Sequence, residues 1–357
     1  MRSHVNVAAE PRFFPGASLR SRALGLSLRY GVRPVLDVWA RAPFFFFPPN
    51  LIDHVARLLP APEGTRWRPV DLPDVPAEWI QGRDVDEDTA SGAILYFHGG
   101  AFLTCGLNTH RRLVSRISAA AGQPVLNVGY RQLPRESVTQ SIEDGVAGFR
   151  WLLDQGYRAE DITLAGDSAG GYLAFSVARA VMDAGFDRPA GIVALSPLLD
   201  FDPASKGEHR NATRCQAFSH RAVARLTDVV HHIDTRRGVQ GARTCPVNMP
   251  VHDMPPALIH IGSREILMAD AELMANRLVS AGVPCDLHIW DRQVHVFQAA
   301  ASWVPEARAA IDEIGAFIRD LDATDLAPRT ERRRDATGTD RHPVAPDRVR
   351  AAVDALG

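Results

Sequence analysis

The feature that most constrains this chain is the pentapeptide Gly166-Asp167-Ser168-Ala169-Gly170. It stands between the β-rich run Asp161-Ile162-Thr163-Leu164-Ala165 and the small-residue stretch Gly171-Tyr172-Leu173-Ala174-Phe175-Ser176-Val177-Ala178. A serine in that setting sits on a sharp strand-to-helix turn that leaves no room for bulky neighbours. Glycines at 166 and 170, with the small Ala169 and Gly171, let strand and helix approach closely while the serine hydroxyl stands above a sheet. The pentapeptide alone arises often by chance, but flanked by a strand pattern and a helix pattern it makes Ser168 the candidate nucleophile.

A second motif precedes it. The apolar run Ala93-Ile94-Leu95-Tyr96-Phe97 reads as a buried strand and ends in His98-Gly99-Gly100-Ala101-Phe102. A chain that bends at two glycines can turn their N–H groups into a site. Gly99, Gly100 and Ala169, the residue after the nucleophile, are the candidate oxyanion donors, each worth about 3–4 kcal/mol of transition-state stabilisation. A Gly-Gly loop that merely turns the chain is the plain alternative. The order and separation of the two motifs favour the donor reading.

With these motifs the chain resembles the hormone-sensitive-lipase-like carboxylesterases (family IV, GDXG) of the α/β-hydrolase superfamily, from about Trp67 to Leu321. The resemblance implies an α/β-hydrolase fold: a mostly parallel eight-stranded sheet flanked by helices, with a helical cap. It also implies a serine carboxylesterase or lipase acting on short- to medium-chain acyl esters through an acyl-enzyme, with no cofactor and no metal. Tyr130-Arg131-Gln132-Leu133-Pro134-Arg135 stands where the family usually reads Y-R-L-A-P-E, and Ala101 replaces the third glycine of the oxyanion motif. Ala101 keeps its N–H, while its methyl narrows the acyl pocket or shifts the loop.

The order of a hydrolase triad places the acid and the histidine after Ser168. Aligning Ser263-Arg264-Glu265-Ile266-Leu267 with the family's D-P-L-x-D-E tract puts Glu265 at the acid position. Asp270, expected in the first turn of a helix over Ala269–Ser280, competes with it, as do Asp200 and Asp202. His295, past the last expected strand and followed by an aromatic residue at 297, occupies the family's G-x-x-H-x-F position. Of the 13 histidines, His231, His232 and His288 read as surface or structural groups. His98 reads as a group that holds the oxyanion loop, and Asp167 as an anchor of the elbow. A lactone or amide hydrolase, or a receptor of the same fold that binds a ligand without catalysis, remain the alternatives.

Composition narrows the partners. A net charge of −2 with acids and bases interspersed gives no electrostatic footprint for nucleic acid, leaving a small acyl ester as the expected partner. Lys206 is the only lysine, an imbalance read as base composition rather than function. Cys105, Cys215, Cys245 and Cys285 are scattered without a C-x-x-C pair, which gives neither a zinc spacing nor a disulfide framework and points to reduced thiols and a cytoplasmic setting. Cys105 reads as a small buried apolar group.

Residues 1–65 are expected to form a helical segment. Arginines 22, 29, 33 and 41 interrupt every apolar stretch, so neither a signal peptide nor a membrane span is expected. Leucines and valines between Leu19 and Trp39, together with Phe44–Phe47, read either as part of a cap over the site or as an interfacial, membrane-contacting helix. Trp67–Leu72 and Ala77–Gln81 read as the antiparallel strands that open the hydrolase domain, 66–322. A cap insertion is expected around 200–250, with His220–Val239 helical. Residues 323–357 read as a flexible tail whose end, Val344–Leu356, can form a short helix.

Overall fold

The computed structural model describes residues 10–42, 51–239, 243–323 and 344–357. Among the described residues nine strands form one sheet: β1 (Arg12–Phe14), β2 (Arg66–Asp71), β3 (Pro76–Gln81), β4 (Ala93–Phe97), β5 (Val125–Val128), β6 (Ile162–Asp167), β7 (Gly191–Leu195), β8 (Ala257–Gly262) and β9 (Cys285–Trp290). Their order across the sheet is β1-β9-β8-β7-β6-β4-β5-β3-β2, and all pairs are parallel except β2 with β3 and β3 with β5.

The apolar run at 93–97 shows why a parallel sheet results. Ala93, Leu95 and Phe97 enter one core and Ile94 and Tyr96 the other, so β4 is buried on both faces and needs no polar alternation. Helices α4 (Leu107–Ala121) and α10 (Pro305–Ala323) cover the face that receives Ile94 and Tyr96, supplying Leu113, Ile117, Ile314 and Ile318. Helices α5 (Val138–Asp154), α6 (Ala169–Ala184) and α9 (Met268–Ser280) cover the other, with Phe149, Leu173 and Met274. This is the α/β-hydrolase architecture, with one strand more than the eight expected.

The additional strand comes from the N-terminal segment. Phe13 pairs with Ile289, Phe14 stacks on Trp290 at 4.0 Å between ring centroids, and the Asp291 N–H donates to the Phe14 carbonyl. Without β1, strand β9 would present an open edge. Three residues are too few to show a strand period, which is why the sequence does not announce it.

After β1 the chain forms α1 (Leu19–Ser27), a π-helical turn over Leu28–Val32, and α2 (Arg33–Arg41). Ser18 caps α1 through its hydroxyl. The π turn ends just before Pro34, whose missing N–H cannot continue a regular ladder. The rod is tied at two places. The buried Ser21 hydroxyl donates to Gln293 in the loop after β9, and Arg33 donates to the Cys215 carbonyl at 2.5 Å. Helix α2 lies against α8 (His220–Arg236), where Ser219 both caps α8 and bonds Asp37. Phe44–Phe47 fall outside the described residues. The short α3 (Leu51–Ala56) packs on α4, with Asp53 accepting from the Thr109 N–H at 2.9 Å and from the Asn108 amide at 2.7 Å.

Much of the expected tail lies outside the described residues, but its end forms α11 (Pro346–Asp354), packed on α5 and α6 with Val353 and Leu356 in the core. Among the described residues no helix is long and apolar enough to cross a membrane.

Candidate active site

Ser168 occupies the turn between β6 and α6 with φ 53° and ψ −115°, a conformation costly for a residue with a side chain and held here by its surroundings. Its N–H donates to the Leu195 carbonyl at the end of β7, and its own carbonyl accepts from Leu198. Gly170 is indispensable to the turn, since a Cβ there would lie 1.9 Å from the Phe97 carbonyl oxygen. The sequence expectation of a tight strand–turn–helix at this pentapeptide therefore has a local steric cause.

Glu265 follows β8 and is buried, 2% exposed. Its Oε1 accepts from the Gly262 N–H at 2.6 Å and from the Ser196 hydroxyl at 2.8 Å, and its Oε2 lies 2.8 Å from His295 Nδ1. Three donors thus satisfy a carboxylate that could not remain charged unpaired in the interior. Asn211, wholly buried, holds the same turn by donating its amide to the carbonyls of Ser263 and Glu265. His295 lies in the loop after β9, where the Val296 N–H donates to the Ser196 hydroxyl at 3.1 Å. Ser196 therefore joins the acid to the histidine loop. Sequence reading passed over it. Its signal was position, a hydroxyl at the C-terminal end of a parallel strand, where such sheets assemble sites.

The competing acids are engaged elsewhere. Asp270 does stand in the first turn of α9, but its carboxylate pairs with Lys206 at 2.8 Å and accepts from the N–H groups of Leu199 and Asp200. Lys206, on the short α7 (Ala204–Glu208), also donates to the carbonyls of Asp200 and Asp202, and both partners of the ion pair are almost completely buried. Burial pushes the Asp270 carboxyl up against the pull of Lys206. The single lysine, read from composition as uninformative, is a structural cation. The Asp200 carboxylate accepts from the Asp202 N–H.

Beneath the oxyanion loop lies a buried polar cluster. Asp167 accepts from the Tyr96 hydroxyl at 2.8 Å, from the Gly99 N–H at 3.1 Å and from His110 Nε2 at 3.3 Å. Burial alone would raise the Asp167 carboxyl, yet His110 and the Tyr96 hydroxyl hold it below the usual carboxylate range. Burial likewise works to lower His110, and the Asp167 carboxylate outweighs it and raises the imidazole. His98 contacts the Gly99 carbonyl through Nδ1 and stacks on Tyr130 at 4.3 Å, while burial, reinforced by the neighbouring His110, lowers it to about 4. His110 carried no motif in the sequence.

This cluster corrects one expectation. The Gly99 N–H is directed at the Asp167 carboxylate, so it is not turned toward a substrate oxygen. The loop instead runs left-handed from Gly100 (φ 117°) through Ala101 (56°) and Phe102 (58°), and a Cβ on Gly100 would lie 1.9 Å from the Thr104 carbonyl oxygen. Gly100 and Ala101 both line the cavity beside Ser168.

That cavity has a volume of about 380 Å³ and a mostly apolar wall. Ser168, Gly100, Ala101, Leu103 and Thr104 form its floor, Val32, Val35, Leu36 and Trp39 come from the N-terminal rod, and Phe218, Ala222, Val223 and Leu226 from α8 and its approach. Phe218 also meets His295 edge-on, with centroids 4.6 Å apart. Cys105, beside the loop, is partly rather than fully buried, and burial together with Asp167 pushes its thiol up to about 12. All four cysteines are free thiols. Among the described residues no group of three His, Cys, Asp or Glu side chains is arranged to hold a metal ion.

The sequence profile of the α/β-hydrolase fold matches residues 94–299. The chain is 41% identical to the esterase LipU of Mycobacterium tuberculosis, over 81% of this chain and 98% of that one. It is 36% identical to the carboxylesterase/phospholipase LipF of the same organism, over 91% and 88%. Among solved structures it is similar to the esterase EstE5, with a TM-score of 0.75 and 28% identity over 86% of this chain and 100% of that one. It is also similar to an esterase of the bacterial hormone-sensitive lipase family, with a TM-score of 0.73, 29% identity and the same coverage.

Proposed function

The chain belongs to the α/β-hydrolase fold family and, within it, to the hormone-sensitive-lipase-like carboxylesterases, and from that premise we propose that Ser168, His295 and Glu265 are the catalytic triad of an esterase for short- to medium-chain acyl esters. The observation that carries the reading is the 2.8 Å contact of His295 Nδ1 with a buried, otherwise satisfied Glu265, at a cavity lined by Ser168. With Nδ1–H committed to the carboxylate, Nε2 is the nitrogen left to accept the serine proton.

In this mechanism the Ser168 hydroxyl attacks the ester carbonyl carbon as His295 removes its proton. The N–H groups of Gly100, Ala101 and Ala169 receive the developing oxyanion. Collapse of the tetrahedral intermediate expels the alcohol, protonated by His295, and leaves the acyl group on Ser168. A water deprotonated by His295 then attacks the acyl-enzyme and releases the acid. Glu265 keeps the imidazole oriented and stabilises its cationic form throughout.

The apolar wall supports the acyl-chain reading. Trp39, Leu36, Val223 and Leu226 offer contact to methylene groups and none to a charged acid portion. We read the N-terminal rod and α8 together as the cap. A panel of p-nitrophenyl esters from acetate to palmitate tests the proposal. Maximal kcat/KM between butyrate and decanoate is expected, and a maximum at palmitate or absence of hydrolysis throughout would overturn it.

A further inference from the structure

We propose that the exposed apolar face around the cavity mouth, made by the π turn, α2 and α3, docks the enzyme on an anionic lipid surface. This goes beyond the esterase reading and does not depend on which residues form the triad.

The cavity opens through this face. Val32, Val35 and Ile52 line it and are at the same time 42%, 44% and 48% exposed. From them the apolar surface continues outward at helical spacing. Val32, Val35 and Val38 follow one another three residues apart on the N-terminal rod, and Ile52, Val55 and Leu58 do so along α3 and the turn after it. Val38, Val55 and Leu58 are 57%, 59% and 84% exposed, and Tyr30 beside them is 74% exposed. An apolar surface of this continuity is unfavourable in water and marks an interaction site.

Charge selects the partner. Arg29 and Arg41, three residues before Val32 and three after Val38 on the rod, and Arg57 next to Leu58 are all exposed. The acids of the same described stretches, 19–42 and 51–59, are Asp37 and Asp53, and both are already bonded inward, to Ser219 and to Asn108 and Thr109. The rim is therefore cationic around an apolar centre, the arrangement that suits anionic headgroups above acyl chains. A second copy of the chain would bring arginines against arginines. A lipid layer also gives the cavity a use for its open mouth, because an acyl ester could pass from one apolar phase to another without crossing water.

Co-sedimentation of the full chain with vesicles of phosphatidylcholine, with and without phosphatidylglycerol, tests the proposal. At least tenfold tighter binding to the anionic vesicles is expected, weakening as salt is raised. Val38→Asp with Leu58→Asp should lower that binding by tenfold or more, and Arg29→Glu with Arg57→Glu should do the same through charge alone. Hydrolysis of p-nitrophenyl acetate should stay close to wild type in both variants, which also reports that they are folded. The proposal is overturned by failure to bind either vesicle, by binding that both variants leave unchanged, or by a self-associated wild type that the first variant dissociates without any vesicle binding. Loss of acetate hydrolysis in the unaltered protein would count against the triad and leave the vesicle result standing.

Discussion

The hydrolase frame and the N-terminal rod beside the cavity treat charge in opposite ways. In the frame, Glu265, Asp167 and Asp270 lie in the interior, and each is surrounded by donors that hold it in one geometry. On the rod, Arg22, Arg29 and Arg41 stand in solvent, and Val32, Val35 and Val38 face either the cavity or the outside. A frame residue therefore acts through position, where small displacements matter greatly. A residue of the cavity wall acts through shape and contact area, where changes are graded.

The comparison is broken most directly at Ser168. Ser168→Ala is expected to lower kcat on the order of 10⁶-fold and to abolish covalent labelling by a fluorophosphonate, with the fold retained. Labelling that survives would remove Ser168 from the site.

The two buried acids of the frame should then separate. Glu265→Gln deprives His295 of its orienting partner and should cost about 10⁴-fold in kcat. Asp270→Asn leaves Lys206 buried without its counter-charge, so about 3–5 kcal/mol of stability should be lost while turnover per folded molecule changes little. Denaturant unfolding and single-turnover kinetics on both variants decide the matter, and the reverse ranking of kcat effects would exchange their roles.

On the cavity wall, Leu226→Phe should shorten the cavity. The ratio of decanoate to acetate kcat/KM is expected to fall by about tenfold, with acetate hydrolysis nearly unchanged. An equal loss on both esters would show that α8 supports the catalytic geometry and would erase the distinction between the two regions.

Acid should weaken the frame through its buried imidazoles. His98 and His288 are both lowered to about 4, chiefly by burial, so each is neutral in the folded protein. Their unfolded pKa lies near 6.5. Above that value both states are neutral and the stability is complete. As pH falls from about 6.5 toward 4, the unfolded chain binds protons that the folded one does not, and stability declines. Melting temperature should therefore drop progressively over this window, and a flat profile would contradict the burial assigned to the two imidazoles.

The smallest effect is expected at Ala101. Its φ of 56° is left-handed, where an alanine costs about 1–2 kcal/mol that a glycine does not. Ala101→Gly should stabilise the protein by about 1 kcal/mol and give longer acyl chains slightly more room, measured by thermal unfolding and the ester panel.

Some of the molecule could be read from local stretches. The pentapeptide at 166–170 dictates strand, turn and helix because only small residues fit where Gly170 meets Phe97. The unbroken apolar run at 93–97 dictates a strand buried on both faces. Glu265 and His295 could be nominated because they fall on motif positions of the family the chain resembles, in the chain order of a hydrolase triad, and Trp67–Leu72 with Ala77–Gln81 could be read locally as the antiparallel strands that open the sheet.

Folding in three dimensions decided the rest. Whether Glu265 or Asp270 meets His295 depends on which carboxylate the chain delivers to a loop from β9, and Asp270 is drawn away by Lys206. Gly99 looked like an oxyanion donor until Asp167, 68 residues further on, took its N–H. Ser196, His110 and Lys206 carried no pattern because the carboxylates they bond are distant in sequence, and β1 was invisible because its strand exists only where β9 offers it an edge. Local sterics and periodicity are written in consecutive residues. The choice among competing hydrogen-bond and charge partners is made by distances that exist only after the sheet has closed.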